Sequence, residues 1–408
     1  MTKNSSHIPS SYKSSPLGII PEDWEVKRLG EIGEVLMCKR IMKYQTDSCG
    51  DIPFFKIGTF GGKPDAYISR EVFDEYKTKY SYPKIGDVLI SAAGTIGRSV
   101  IFDGTPSYYQ DSNIVWIDND NKQVLNKYLY YYYSTINWIT DTGTIPRLYN
   151  SALKAIQIPT PPIEQQTRIV SILELWDTAI AKQTALIEKL TLRKKGLMQQ
   201  LLTGKKRLKG FEGEWKEVRL GDVASINRGG SPRPIEDYIT QGEGYNWIKI
   251  GDVDQDAKYI TSTEEKIIKE GLSKTRFVKR GDFILSNSMS FGRPYILKID
   301  GCIHDGWLVI QEYDQTFNID FLYYILGYDT TLAQYKSMAA GSGVLNLNKE
   351  IVKEVQLRIP TIEEQIAIAS ILINADKEIE IQKQKLAAMQ EQKKGLMQVL
   401  LIGKKRLK

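Results

Sequence analysis

The chain has only two histidines, His7 and His304, and three cysteines, Cys38, Cys49 and Cys302. A Ser-His-Asp or Cys-His catalytic set has almost nothing to draw on. The cysteines form no CxxC pair and no Cys/His cluster, which removes the common zinc frameworks, and an odd number cannot pair completely within the chain. The expectation is a reduced, cytoplasmic protein. No GxxxxGK[ST] phosphate loop occurs. The glycine and Asn-Pro-Pro-Tyr-like motifs of adenine methyltransferases are missing, Thr160-Pro161-Pro162-Ile163 being a poor match. A PD…(D/E)xK nuclease pattern is wanting too. No apolar run approaches the roughly 20 residues of a membrane helix. The start, MTKNSSHIPSSYKSSP, has no apolar stretch of the secretory kind and reads as a flexible tail over residues 1–20. Together these absences argue against an autonomous enzyme, a metal protein and a membrane protein.

What is present is a repetition. Residues 161–209 and 360–408 align without a gap at an offset of 199, with about half the positions identical. The first copy runs from PPIEQQ to KKGLMQQLLTGKKRLK, the second from PTIEEQ to KKGLMQVLLIGKKRLK. Fainter echoes precede each copy. Trp24 and Trp215 each lead into a Val-Arg-Leu-Gly-like strand. FFKIGTF (54–60) answers WIKIGDV (247–253), KIGDVLISAAGTIGRS (84–99) answers KRGDFILSNSMSFGRP (279–294), and TGTIPRLYNSALKAIQIP (142–159) answers SGVLNLNKEIVKEVQLRI (342–359). The loops between the echoes differ. This is one scaffold used twice with two variable surfaces, which implies pseudo-two-fold symmetry.

Short β-branched and aromatic runs broken by Gly, Asp and Pro read as strands, and 124–139 and 321–336 read as helices. Each half is therefore expected to be an α+β globular domain, over 21–158 and 210–358. The tyrosine run 130–133 could stack bases, but its spacing suits a helix packed on a sheet. The repeat copies, 159–209 and 359–408, read as long helices. Ile163 to Leu202 contains no proline and a single glycine, Gly196. Apolar residues fall on heptad columns: Leu173, Ile180 and Ile187 with Ile169, Trp176 and Leu190 in the first copy; Leu372, Ile379 and Leu386 with Ile368 and Met389 in the second. Gln183 and Gln382, and Lys194 and Lys393, occupy matched seam positions. A 40-residue helix is roughly 60 Å long, more than a small domain needs for its own core, so the two should pack on each other.

Charge is uneven. The net charge is +6, yet residues 189–209 carry +8 and residues 391–408 carry +5, which leaves the remainder at −7. The basic clusters at the helix ends suit either spacer DNA or helix C-termini and an acidic partner.

With these features in order and in duplicate, residues 20–408 resemble a specificity subunit of a type I restriction-modification system. The resemblance rests on the Trp…Val-Arg-Leu-Gly start, the Gly-Asp-apolar-Ser segment followed by Gly-Arg, the Pro-x-x-Glu-Gln helix entry and the Lys-Lys-Gly-Leu-Met-Gln…Gly-Lys-Lys-Arg-Leu close. Glu364, where the first copy has Gln165, is the main departure. The resemblance implies two target recognition domains in inverted orientation, each reading half of a split DNA sequence, and two long antiparallel coiled-coil helices setting their separation. It implies double-stranded DNA, two methyltransferase subunits and motor-nuclease subunits as partners, with S-adenosylmethionine, ATP and Mg on those partners and no cofactor on this chain. Base readers favour Arg, Lys, Asn and Gln, while phosphates take Lys, Arg and hydroxyls. By type and loop position the candidates are Lys56, Arg98, Asn113, Arg147 and Tyr149 in the first half, and Lys249, Asn287, Ser288, Arg293, His304, Asn346 and Asn348 in the second. Arg98 and Arg293 share a position, which suits a phosphate contact or a scaffold salt bridge equally. A standalone DNA-binding or adaptor protein is the alternative; a fused restriction-methylation enzyme or a coiled-coil scaffold unrelated to DNA fits less well.

Overall fold

The structure, a computed structural model, describes residues 10–138, 147–254, 257–287, 291–339 and 347–406. The chain forms two compact units, and neither holds a whole long helix. One comprises Met1–Thr184 with Gln384–Lys408, the other Ala185–Lys383. A sequential partition into domain, helix, domain, helix does not describe them, because each unit takes the N-terminal half of one long helix and the C-terminal half of the other.

In the first unit, β1 (Val35–Met37), β2 (Val88–Ser91), β3 (Ser99–Ile101) and β4 (Ile114–Ile117) form an antiparallel sheet in the order β1-β4-β2-β3. β2 and β4 are apolar almost throughout and buried at every position, as central strands covered on both faces must be. The two-residue period sorts their side chains. Val88, Ile90, Val115 and Ile117 face a cluster containing α1 (Asn126–Tyr133). Leu89, Ile114 and Trp116 face a second cluster with Ile52, Phe54, Phe73 and Tyr108. Tyr128, Tyr131, Tyr132 and Tyr133 are buried in the first cluster, so the tyrosine run packs on the sheet.

The second unit repeats the plan. β5 (Ser225–Arg228), β6 (Tyr259–Ile260), β7 (Phe283–Ser286), β8 (Pro294–Leu297) and β9 (Trp307–Gln311) are ordered β5-β9-β7-β8-β6, with a parallel pairing only at β6. Phe283, Leu285, Leu308 and Ile310 face α3 (Ile319–Leu326), and Ile284, Val309 and Trp307 face the other side. α2 (Ile163–Leu201) and α5 (Ile362–Leu400) are the long helices. The helix expected over 321–336 is two, α3 and α4 (Asp329–Ala339). The break falls at Gly327, where an added Cβ would lie 3.2 Å from Pro294.

The shared motifs have structural reasons. In Lys-x-Gly-Asp the glycine has positive φ (Gly86 +93°, Gly281 +96°), and the aspartate carboxylate accepts the lysine N–H at 2.8 Å (Asp87 to Lys84) and 2.9 Å (Asp282 to Lys279). This is a turn that only glycine enters without strain, feeding the central strand. The strand's closing serine accepts the backbone N–H of the Gly-Arg arginine, Arg98 at 2.9 Å and Arg293 at 3.0 Å. The strand after each tryptophan, Glu25–Arg28 or Lys216–Arg219, pairs with the strand ahead of the long helix, Gln157–Thr160 or Gln356–Ile359. In the helix entry, Gln166 and Gln365 are buried, and each side chain both donates and accepts. Gln166 Nε2 reaches the Pro161 and Gln123 carbonyls while its Oε1 takes the Leu125 N–H; Gln365 bonds the Pro360 and Thr316 carbonyls and the Asn318 N–H. The motif therefore fastens each long helix to its globular body.

Residues 12–20 do not behave as a tail. Tyr12–Ser15 and Gly18–Pro21 pair as a hairpin, and Ile20 is buried in the first core. Four side chains near the end of α5, Leu396, Met397, Leu400 and Leu401, also enter that core, and the matched Leu197, Met198, Leu201 and Leu202 at the end of α2 enter the second. Cys38 and Cys302 are buried, and burial pushes their thiols up to about 12 and about 11. Among the described residues no helix is long and apolar enough to cross a membrane, and no His/Cys/Asp/Glu group could hold a metal.

Candidate nucleic-acid interface

Backbone hydrogen bonds draw the same three segments together at one edge of each sheet. In the first unit Ala92 N–H donates to the Asn113 carbonyl (2.7 Å) and Leu148 N–H to the Ala92 carbonyl (2.8 Å). In the second, Asn287 N–H donates to the Gly306 carbonyl and Leu347 N–H to the Asn287 carbonyl, both at 2.9 Å. The strand registers confirm the match, Ser91 lying opposite Ile114 and Ser286 opposite Trp307. The framework is common and the side chains on it are not. In the first unit the edge carries Arg147 against the Tyr149 ring at 6.0 Å, Tyr149 being 55% exposed, and Arg40 with its Nε 2.9 Å from Asp111. In the second it carries Arg228, whose Nε donates to the Asp305 carbonyl at 2.8 Å, and Arg276, whose Nε donates to the Arg228 carbonyl at 2.9 Å.

Asp305 organises the second edge. Its carboxylate accepts the Ser231 hydroxyl (2.8 Å) and lies 3.1 Å from His304 Nε2; its carbonyl also takes the Asn287 amide (2.8 Å). Burial raises the Asp305 carboxyl, but Ser231, His304 and Arg228 outweigh it and hold it below the usual carboxylate range. It stays charged at neutral pH. His304 Nδ1 accepts the Gly306 N–H at 2.8 Å, which puts the ring proton on Nε2, toward Asp305.

Several expected readers have intramolecular duties. Lys56 pairs with Asp65 at 2.8 Å, and Lys249 with Glu265 at 2.8 Å, whose carboxylate raises the Lys249 ammonium above its ordinary value. Arg98 donates Nη1 to the Phe60 carbonyl at 2.8 Å, a scaffold hydrogen bond rather than a salt bridge. Asn287 is buried, with its amide on Asp305. Asn348 caps a short helix by accepting the Ile351 N–H. Asn113 contributes its carbonyl to the edge, and Arg293 is half-buried in its loop. Ser288 and Asn346 lie outside the described residues. Arg40, Arg228, Arg276 and Asp305 were not among the expected readers; no position shared between the halves pointed to them.

Within each unit the long-helix segments run antiparallel. Ile169 and Leu173 join the first core, and Ile368 and Leu372 the second. Leu190 and Ile379 are buried, and Trp176, Ile180, Ile187, Leu386 and Met389 half-buried. Two matched clamps join helix to globular body. Tyr131 donates to Asp177 at 2.6 Å, and Lys393 pairs with Asp177 beneath the Tyr131 ring; Tyr324 donates to Asp376 at 2.6 Å, with Lys194 on Asp376 at 2.5 Å. Burial, and then the carboxylate, keep both phenols protonated well above the usual range. Glu364 explains the departure from the repeat. Arg207 holds it through Nε and Nη2, both at 2.8 Å, and lies over Trp215. In the first unit Arg406 pairs with Asp23, and Gln165 bridges Asp23 to the Trp24 indole. Trp215, without that bridge, has a buried indole N–H with no hydrogen-bond partner. Much of the basic charge at the helix ends is thus neutralised inside its own unit: Arg193 by Glu378, Lys194 by Asp376, Arg207 by Glu364, Lys393 by Asp177 and Arg406 by Asp23.

Comparison with known proteins gives a consistent result. A sequence model described as the type I restriction modification DNA specificity domain matches residues 21–192 and again 212–391. The putative type I restriction enzyme specificity subunit S.HindORF215P of Haemophilus influenzae is 65% identical over 160 residues, which cover 39% of this chain and 42% of that protein. The chain thus matches under half the length of that relative. The putative MjaX specificity subunit of Methanocaldococcus jannaschii is 27% identical over 98% of this chain and 97% of its own. Among solved structures, the S subunit of a type I restriction-modification system from M. genitalium aligns with a TM-score of 0.54 at 15% identity, over 93% of this chain and 96% of that one. A chain from a structure on complex assembly and conformational transition of the type I R-M system aligns at 0.63 and 17%, over 94% and 99%. At these identities the structural likeness is one of fold.

Proposed function

The chain belongs to the type I restriction-modification DNA specificity family, and we propose that it is the non-catalytic subunit that chooses the DNA target of such a complex. Each α+β unit reads one half of a split, asymmetric sequence in duplex DNA. The observation that carries this reading is the pair of matched edges, equal in backbone and different in side chain, as two readers of unlike half-sites require. Methyltransferase subunits with bound S-adenosylmethionine dock on the long helices, whose length sets the gap between half-sites, and motor-nuclease subunits using ATP and Mg join for restriction, in the cytoplasm.

The docking is supported by large apolar side chains that the helices leave to solvent: Leu175 (70% exposed), Leu192 (71%) and Ile381 (59%). Leu175→Lys with Leu192→Lys is expected to lose at least tenfold in co-purified methyltransferase while thermal unfolding stays within 2 °C of the parent, roughly what surface changes cost. Unchanged co-purification would move the docking surface elsewhere. The function itself is tested by a single-molecule methylome of the source cell with and without this gene. Loss of one split adenine-methylation motif is the expected result. An unchanged methylome would favour the standalone DNA-binding reading.

A further inference from the structure

We propose that Arg40 and Arg228 are the guanine readers, one for each half of the target. The inference rests on the DNA-reading function above and names residues within it. Three observations bring the two arginines together although they do not align in the repeat. Each lies at the C-terminal end of the outer strand of its sheet: Arg228 is the last residue of β5, and Arg40 lies three residues beyond β1. Each is anchored through Nε to the loop that precedes the equivalent central strand, Arg40 to the Asp111 carboxylate at 2.9 Å and Arg228 to the Asp305 carbonyl at 2.8 Å. Each keeps its head outward, with side-chain exposures of 66% and 52%.

The anchoring has a chemical consequence. A guanidinium has five N–H bonds in a fixed plane. A partner at Nε fixes that plane and leaves the two terminal nitrogens to form a parallel pair of donors. That pair matches guanine O6 and N7 in the major groove, the commonest specific arginine contact. Asp305 Oδ2 lies 3.7 Å from Arg228 Nη2, beyond hydrogen-bond distance, so this contact is an ion pair and not a hydrogen bond. Among the other anchored arginines, Arg207 and Arg219 have Nε and both terminal nitrogens on intramolecular partners, and Arg98 is held through Nη1; Arg276 shares the Nε anchor but takes it from Arg228 and not from the loop before the central strand. The loop that holds Arg40 contains Ser112 at φ +54°, a left-handed conformation that a non-glycine residue adopts only where its surroundings impose it. Arg276, hydrogen-bonded to the Arg228 carbonyl, adds a second cation beside the second reader, suited to phosphate.

The test is Arg→Lys at each position in the intact complex with its methyltransferase, acting on a randomised duplex library and read as the methylated motif. Lysine keeps the charge and loses the fork. R40K should relax one guanine position in one half-site, and R228K one guanine position in the other, by about 5- to 150-fold in discrimination. The remaining positions should stay fixed. If the parent complex gives no split motif, the function fails and not merely this assignment. If the parent motif is found and either variant keeps it unchanged, or if a half-site contains no guanine, the assignment is overturned. Where a variant methylates too little for a motif, competition binding with 7-deazaguanine at each guanine of the motif decides. The parent should lose affinity at one guanine per half-site and the variant should be indifferent there; equal losses for both overturn the assignment.

Discussion

Leu401→Ala is expected to destabilise the first unit by about 2–5 kcal/mol, the range for emptying a fully buried leucine site. Leu401 is completely buried in the cluster that holds Tyr128, Leu129, Ile158 and Leu173, and its carbonyl accepts the Tyr128 hydroxyl at 3.2 Å. Tyr128 is 273 positions away in sequence, so a change near the end of the chain is read out in the unit built mainly from its beginning. Hydrogen exchange followed by mass spectrometry resolves the two. Protection should fall in β2 and β4 and stay unchanged in β7 and β9. Leu202→Ala, the matched change in α2, should do the converse, since Leu202 lies in the second core. Equal losses in both units would mean that the cores are not independently stable; a loss under about 1 kcal/mol would mean that the helix end is not part of the core.

The fragment Met1–Lys209 is expected to form a homodimer. On its own it has a core that lacks Leu396, Met397, Leu400 and Leu401, and a helix end whose Leu197, Met198, Leu201 and Leu202 have lost theirs. The two ends, KKGLMQQLLTGKKRLK and KKGLMQVLLIGKKRLK, differ only at Gln200/Val399 and Thr203/Ile402. The α2 end of one copy therefore suits the core of another, and the exchange closes as a symmetric pair. Sedimentation at micromolar concentration should give twice the fragment mass. Leu201→Asp with Leu202→Asp should abolish it, by burying charge without a partner. Combined with its methyltransferase, the dimer should mark a palindromic target made of one half-site twice. A folded monomeric fragment would contradict the expectation.

The architecture was legible because it is written twice. The repeat at an offset of 199 announced two α+β bodies and two long helices, and the heptad columns picked out side chains that are buried or half-buried. The repeated motifs also marked real joints, the glycine turn before the central strand and the buried glutamine at the helix entry. The same comparison misled on the reading edge. Positions common to both halves maintain the common backbone, which is why Lys56 and Lys249 sit in ion pairs and Arg98 holds a carbonyl. Residues that distinguish two targets must differ between the halves. Arg40 and Arg228 have no matched partner and so gave no signal. The exchange of helix ends was hidden for the opposite reason: two nearly identical ends fit either core, and only coordinates tell which one each occupies.

That exchange also imposes a timetable on synthesis. The first globular body and its half of α2 are made by residue 184, but the side chains that complete its core come at residues 396–401, more than 200 residues later. At a ribosomal pace of ~5–20 residues per second the wait is roughly 10–40 s. During that interval the nascent first body exposes an unfilled apolar socket, and it is the part made first that closes last. A ribosome that stops short of the final helical turn therefore releases a chain whose earliest domain is the defective one. Chaperone retention and proteolysis should find the truncation there, in the part of the chain made first.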